Sequence, residues 1–371
     1  MFILLYIYRL MFKPAISTNA FTSRLLSNKG ALFGMLIIIT AFFMAVFAYF
    51  IAPDNSPYAN RIIPEIANRE AGFTIHLVQV KKDLPGNDQV NFFEKLINGQ
   101  RDIYSFIPVT TFKQTADSII ARKFIDDGIT EKFSLPLTAL APSPVVQQKF
   151  LLGTDKFGRD IASRLIVGTR VSLSVGFIAV AISLTIGLVM GALAGYFKGM
   201  TDNVIMWFIN VVWSIPTLLL VFAVTLLLGK GFWQVFIAVG LTMWVNVARL
   251  VRGQVLAVRE LEYVEAAKAL GFSHMRIIVL HILPNIMGPV LVIAASNFAS
   301  AIVIEAGLSF LGVGVQPPQP SWGLMIKENY NFIITNNPML ALEPGIAIML
   351  LVLAFNLVGN GLRDALNVRE L

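Results

Sequence analysis

The residues of this chain that could do chemistry are few. Cysteine is absent and histidine occurs only at His76, His274 and His281, which excludes disulfides, thiolate metal sites and cysteine nucleophiles together. His274 and His281 are separated by one short segment with no third ligand nearby, and His76 stands by itself, a pattern that suits surface or strand residues better than metal ligands. No H-E-x-x-H metal motif and no G-x-S-x-G nucleophile elbow occurs. No phosphate loop of the form G-x-x-x-x-G-K-[ST] occurs either, since Gly229-Lys230-Gly231 lacks the spacing. These absences give a catalytic role no support.

The polar segment with the clearest pattern is Glu262-Tyr263-Val264-Glu265-Ala266-Ala267-Lys268-Ala269-Leu270-Gly271. It predicts a short surface helix: Glu260, Glu262 and Glu265 lie toward its N-terminal end, where the dipole favours acids, and Gly271 suits a left-handed C-cap. Val264, Ala267 and Leu270 line one face, with small Ala266 and Ala269 beside them. That stripe could enter a groove of another protein. It reads equally well as a helix packed on its own domain.

The elements that must position this helix are set by composition. Hydrophobic residues make up 56% and charged residues 14% of the 371, with a mean hydropathy of +0.72, so the chain needs lipid as its solvent. The net charge of +7 and isoelectric point near 9.6 do not point to nucleic acid, because the basic residues mostly flank apolar runs. Apolar stretches long enough to span a bilayer core, about 20 residues or 30 Å of helix, fall at Ala31 to Ile51, Val171 to Tyr196, Val204 to Leu228, Phe232 to Ala248, Ile286 to Ile304 and Pro344 to Asn360. The fold class expected is an all-α membrane protein with about six transmembrane helices and an α+β external insertion between the first two. Met1 to Leu10 is apolar but short, without a basic residue before it or a cleavage site after it, and reads as an interfacial anchor.

Charge sets the orientation. The first thirty residues hold Arg9, Lys13, Arg24 and Lys29 and no acid, and short basic segments stay in the cytoplasm. An even span count returns the C-terminus there, so both ends are expected inside. The segment from Arg249 to Asn285 and the tail with Arg363 and Arg369 then fall on the same side. The chain divides into an N-terminal segment 1–30, a first helix 31–51, an external insertion 52–150, and a helical domain 151–371 that carries the loop 249–285. Within the insertion, Phe73 to Val80 alternates like a strand, whereas Val90 to Ile97 and Thr115 to Ile125 have spacing closer to helical. The insertion reads as a passive module or as a contact for a delivery protein or partner subunit.

In the second span, Ala179, Ser183, Gly187, Gly191 and Gly195 recur every four residues on one face, a seam that lets another helix approach closely. Few ionisable groups lie within the spans, which argues against proton-coupled transport. Asn210, Asn246, Asn297, Glu305 and Asn356 are the polar groups within or near spans that could face a pathway or bond a neighbouring helix.

Several motifs resemble one family. Glu265-Ala266-Ala267, three residues, Gly271, then Leu283-Pro284 is similar to the signature loop of ABC importer permeases. His281 stands where the general pattern has isoleucine, and His281-Ile282-Leu283-Pro284-Asn285 has the form common in the peptide and nickel branch. Leu152-Gly153-Thr154-Asp155 with Gly158-Arg159-Asp160, Leu308-Ser309-Phe310-Leu311-Gly312 with Pro317, Pro318, Pro320, Ser321, Trp322 and Gly323, and Phe355-Asn356 followed by Gly361-Leu362-Arg363-Asp364 resemble the second, C-type permease of that branch. The resemblance covers the first helix and Leu151 onward, and residues 52–150 are longer than the family leads one to expect.

The resemblance implies a type I ABC importer permease in a bacterial inner membrane, with residues 262–271 as the coupling helix. It implies a second permease subunit, two cytoplasmic ATPase subunits that bind the ATP, an external solute-binding protein, and alternating access for a peptide, nickel or another small solute. No cofactor of its own and no metal is expected. The rival reading is an ATP-independent secondary transporter, or a membrane scaffold with an external sensor domain; sparse intramembrane charge opposes the former and the docking loop the latter.

The orientation is checked by reporter fusions. A reporter fused after Asn60 is expected to read external, and one after Arg252 or at the C-terminus cytoplasmic. An external signal after Arg252 overturns the orientation.

Overall fold

The computed structural model describes residues 18–82, 90–334 and 337–366. Met1 to Leu10, Arg9, Lys13 and Arg369 lie outside the described residues. Two compact units emerge, each treated by itself: a helical one from residues 18–40, 174–314 and 348–366, and a sheet-bearing one from residues 41–173 and 315–347.

The helices are α1 (Thr18–Ser27), α2 (Lys29–Val46), α3 (Ala48–Ile51), α4 (Phe92–Asn98), α5 (Ile161–Phe197), α6 (Gly199–Trp213), α7 (Thr217–Leu228), α8 (Phe232–Val258), α9 (Glu262–Ala269), α10 (His274–Ile277), α11 (Leu283–Phe310), α12 (Trp322–Asn329) and α13 (Met339–Leu366). Among the described residues five stretches are long and apolar enough to cross a membrane: α2, α5, α8, the run from α10 through α11, and α13. A sixth exists if α6 and α7 count as one span, and the chain is an integral multi-pass membrane protein.

The stretch Val204 to Leu228, expected as one continuous helix, is two helices that meet at 92°. Pro216 explains the break: proline has no N–H to donate and disfavours helical geometry in the residue before it, and the turn falls at Ser214-Ile215-Pro216. The surrounding residues are so uniformly apolar that hydropathy alone passes over the corner.

Helix α8 is the central element of the helical unit. Of its most apolar window 61% is buried, against 22–33% for the other spans. Helix α5 reaches it along the small-residue face: a Cβ on Gly187 would lie 2.5 Å from Val247 Cβ, one on Gly191 2.5 Å from the Ala248 carbonyl oxygen, and one on Gly195 2.8 Å from Val255 Cβ. Ala179 and Ser183 continue that face and are fully buried. In return, Gly240 of α8 leaves room for Ile182. Arg252 of α8 makes a bidentate pair with Asp202 of α6 at 2.5 and 2.6 Å, and the Arg249 guanidinium lies 3.6 Å over the Trp213 ring. A second close contact joins α2 to α13, where Gly34 faces the Ala354 carbonyl and Gly361 faces Ala31.

The sheet-bearing unit contains five antiparallel strands: β1 (Phe73–Lys81), β2 (Tyr104–Gln114), β3 (Ser118–Asp126), β4 (Ile129–Pro136) and β5 (Leu140–Phe150), in the order β4-β3-β2-β1-β5. Both sheet faces hold apolar clusters, one around Ile75, Leu77 and Phe124 and the other around Val78, Val109 and Ile119. The expected strand at 73–80 and helix at 90–97 correspond to β1 and α4. The helical reading of Thr115 to Ile125 is corrected, since β3 occupies that stretch. Ile119 and Ala121 face one cluster with Ile120 and Arg122 outward, a period of two that the adjacent Ile119-Ile120 pair disguises.

The seam between α5 and α8 generates a test. Gly191→Leu would press a branched side chain into the Ala248 carbonyl and Val251 and should abolish accumulation or assembly in the membrane, whereas Val189→Leu, on the exposed face of the same helix, should leave both intact. Normal accumulation and transport by both variants would remove the seam's importance.

Candidate functional site

Helix α9 forms because its ends are provided for. Glu262 and Glu265 occupy the first turn and Lys268 the last, each on the side the helix dipole favours. At the far end Gly271 takes φ of +75°, its N–H donates to the Lys268 carbonyl at 2.9 Å, and the Phe272 N–H donates to the Ala267 carbonyl at 3.2 Å, the paired bonds of a Schellman cap.

Val264 and Ala267 are 0% and 4% exposed, within one cluster that includes Ala192 and Tyr196 of α5, Val247, Val251 and Val255 of α8, and Ile286 and Val290 of α11. Of the two readings of the stripe, Val264 and Ala267 follow the one that packs on its own chain, and only Leu270, 74% exposed, remains outside. The three residues part company because Leu270 is the C-cap of α9, beyond the last helical residue. Glu262, Tyr263, Glu265, Ala266, Lys268 and Ala269 share the outer surface with Leu270.

Polar contacts fix the segment at both ends. The Arg259 guanidinium donates to the Tyr196 carbonyl at 2.5 Å, and Lys198 pairs with Glu260 at 2.8 Å. The Lys198 ammonium holds the Glu260 carboxyl below its ordinary pKa. Tyr196 Oη and His274 Nδ1 lie 2.9 Å apart, and Asn285 Nδ2 donates to Tyr263 Oη at 3.1 Å. His281 stacks on Phe272 with centroids 5.8 Å apart. Between α10 and α11 the chain makes a π turn over Ile278–Ile282, an irregularity frequent at functional positions. Tyr196 and Arg259 were not legible as members of this site, because the contacts of Tyr196 with Arg259 and His274 join distant segments and leave no local spacing.

The polar residues in the spans are dispersed. Asn210 of α6 accepts from Arg249 at 3.1 Å. Asn246 and Asn356 are exposed on α8 and α13. Asn297 of α11 is 4% exposed, with no hydrogen-bond partner for Nδ2 among the described residues. Glu305 of α11 is fully buried and accepts from Ser309 Oγ at 2.6 Å. Among the described residues no group of three or more His, Cys, Asp or Glu is arranged to hold a metal ion. Helix α9 is short, and its inner-face residues Val264 and Ala267 belong to one buried cluster with residues of α5, α8 and α11.

The motifs around Asp155 and Trp322 have structural work in the sheet-bearing unit. Asp155 pairs with Arg159 at 2.6 Å, and Glu328 of α12 receives both Arg159 at 2.7 Å and Arg164 at 3.1 Å. Asp160 accepts from the Ser163 amide at 2.9 Å, and burial raises its pKa. Ser321 caps α12 by accepting from the Leu324 amide, and Trp322 Nε1 donates to the Leu165 carbonyl at 3.0 Å.

Comparison with known proteins agrees with these motifs. The family described as binding-protein-dependent transport system inner membrane component matches residues 187–370, and the N-terminal TM domain of oligopeptide transport permease C matches residues 20–64. The glutathione transport system permease protein GsiD of Pectobacterium atrosepticum is 42% identical over 216 residues, covering 58% of this chain and 71% of the relative. The dipeptide transport system permease protein DppC of Alkalihalophilus pseudofirmus is 43% identical over 215 residues, covering 58% of this chain and 70% of the relative. A solved structure of the MetNI methionine ABC transporter in an inward-facing conformation aligns with a TM-score of 0.44 at 19% identity, over 53% of this chain and 93% of that one. Residues 65–186, which include the whole five-stranded sheet, lie outside both family matches. With its motifs, spans and relatives in agreement, the chain belongs to the binding-protein-dependent transport family as a C-type, membrane-spanning permease subunit of an ABC importer.

Proposed function

We propose that this chain and a second permease together form a pathway for peptides across a bacterial inner membrane, with both termini and α9 in the cytoplasm. Relatives named for glutathione and dipeptide transport support the peptide class. Two cytoplasmic ATPase subunits bind and hydrolyse the ATP, and an external binding protein delivers the solute. The sequence holds no G-x-x-x-x-G-K-[ST] phosphate loop, which supports that division of labour.

One observation carries the mechanism: Val264 and Ala267 of α9 share a buried cluster with α5, α8 and α11. A force applied to the outer surface of α9 therefore reaches three long helices at once through side chains already in contact, since packed interiors transmit strain. ATP-driven closure of the ATPase pair supplies that force. The population then shifts between inward- and outward-open arrangements by the difference in binding energy between the two. The dispersed polar residues of the spans fit a pathway completed by the second permease, in which Asn297 and Glu305 serve helix bonding or the lining.

Two substitutions test coupling separately from folding. Glu265 is exposed, and Glu265→Lys reverses charge on the outer surface; like charges brought together in an interface cost several kcal/mol. Gly271 has nothing within 4 Å of the position a Cβ would take. Gly271→Val therefore introduces only backbone strain at φ +75°, about 1–2 kcal/mol. Both variants should insert and pair with the second permease yet lose ATPase binding or substrate-stimulated hydrolysis in reconstituted membranes. Wild-type coupling in both would sink the docking role, and disappearance of both from the membrane would assign α9 to folding alone.

A further inference from the structure

Helix α4 has no buried residue. It exposes Phe92, Phe93 and Ile97 at 58%, 74% and 62%, an apolar surface with no purpose in water on a helix this short. Its rings are the end of a continuous series. Phe43 of α2 stacks on Phe47 at 6.3 Å, Phe47 meets Phe50 of α3 at 6.5 Å, Phe50 meets Phe92 at 5.2 Å, and Phe92 meets Phe93 at 5.7 Å. The start of that series lies on a spanning helix with only 22% of its apolar window buried, a surface this chain leaves open.

The level of α4 along the membrane normal is fixed by two spans. Arg170 of α5 donates to the Ile97 carbonyl at 3.1 Å and its guanidinium lies 5.1 Å over the Tyr49 ring. Helix α5 runs for 37 residues, well beyond the roughly 20 that a bilayer core requires, and Arg170 is the last charge before its uninterrupted apolar stretch. Arginine and tyrosine at the end of an apolar run mark the headgroup layer. Gly99, which ends α4 with φ of +80°, sits against the Tyr49 ring so closely that a Cβ would come within 3.0 Å. Lys95 Nζ lies 5.0 Å over the Phe50 ring with its stem along the apolar surface. The helix is thus tied to α3, which directly follows the spanning helix α2, and to Arg170 in the early turns of α5.

We propose that α4 is a lipid-interfacial foot, with Phe92, Phe93 and Ile97 in the boundary between headgroups and acyl chains, which fastens the sheet-bearing unit to the bilayer surface. The partner is the membrane itself, and the carrying observation is the continuity of the α4 aromatics with the exposed apolar side of α2. The assignment is independent of the coupling role of α9.

The native lack of cysteine makes the test direct. Phe93→Cys and Ile97→Cys, each carrying a nitroxide, would be placed in the full chain reconstituted in phosphatidylethanolamine and phosphatidylglycerol vesicles. Collision with oxygen and with a water-soluble nickel chelate would be compared with Lys132→Cys on β4, an exposed position. The expected result is an oxygen-to-nickel accessibility ratio several-fold higher at 93 and 97 than at 132. A water-like ratio at both positions overturns the proposal, and so does exclusion of both collision agents, which would mean that protein covers the helix. Both side chains point out of the fold, so neither substitution removes a core contact, and the second position guards against a local effect at the first.

Discussion

The close approach of α5 to α8 is the contact on which the helical unit depends. In lipid there is no water to drive helices together, so van der Waals contact and hydrogen bonds must do it, and a glycine every fourth residue lets Val247, Val251 and Val255 of α8 reach the α5 backbone. Those same valines form the inner half of the cluster into which α9 packs. The membrane seam and the seat of α9 are therefore parts of one contact surface. A change in the spacing of α5 from α8 must appear as a change in the seat of α9, and the reverse holds equally.

A different force organises the sheet-bearing unit. Asp155, Arg159, Arg164 and Glu328 bring four charges into a region where the two arginine side chains are 5% and 2% exposed. Such a network is a weak source of net stability, since desolvation offsets the attraction, but removing one member leaves an uncompensated charge that costs about 3–5 kcal/mol. Its value lies in the arrangement it permits. With Gly158 turned against the Ile63 backbone, where a Cβ could not fit, the network holds the start of α5 to α12 in one geometry. The short sequence motifs around Asp155 and Trp322 are thus explained by bonds within the chain.

Much of this was legible in the sequence, for physical reasons that can be named. The long spans follow from hydropathy, and the extent of α9 follows from its acidic start and from Gly271. The corner at Pro216 was hidden because apolar residues on both sides of it carry no period. Strand β3 was read as helix because the adjacent Ile119-Ile120 pair disguises its period, β2 was not read, its alternation interrupted by the irregularity between Val109 and Thr111, and β4 and β5 were not read either. The face that α9 presents outward escaped for a subtler reason. Val264, Ala267 and Leu270 obey helical spacing on paper, but spacing cannot tell which side of a surface helix meets its own protein, and Leu270 already stands at the cap. The ring series from Phe43 to Phe93 joins segments far apart in the chain and leaves no trace in any local window.

The pairing of Phe73 with Phe150 has a consequence for how such a chain can change. The first residue of β1 and the last of β5 are neighbours, and the flanking segments stay together, with the Asn68 amide on the Asp155 carbonyl and the Arg69 amide on Thr154 Oγ1. The sheet thus begins and ends at one doorway. A domain attached in this way needs only a short gap between two loop ends for its covalent connection, while α4 adds side-chain contacts to Tyr49, Phe50 and Arg170. A change in the length of its inner loops would therefore leave the spacing of those two loop ends unaltered.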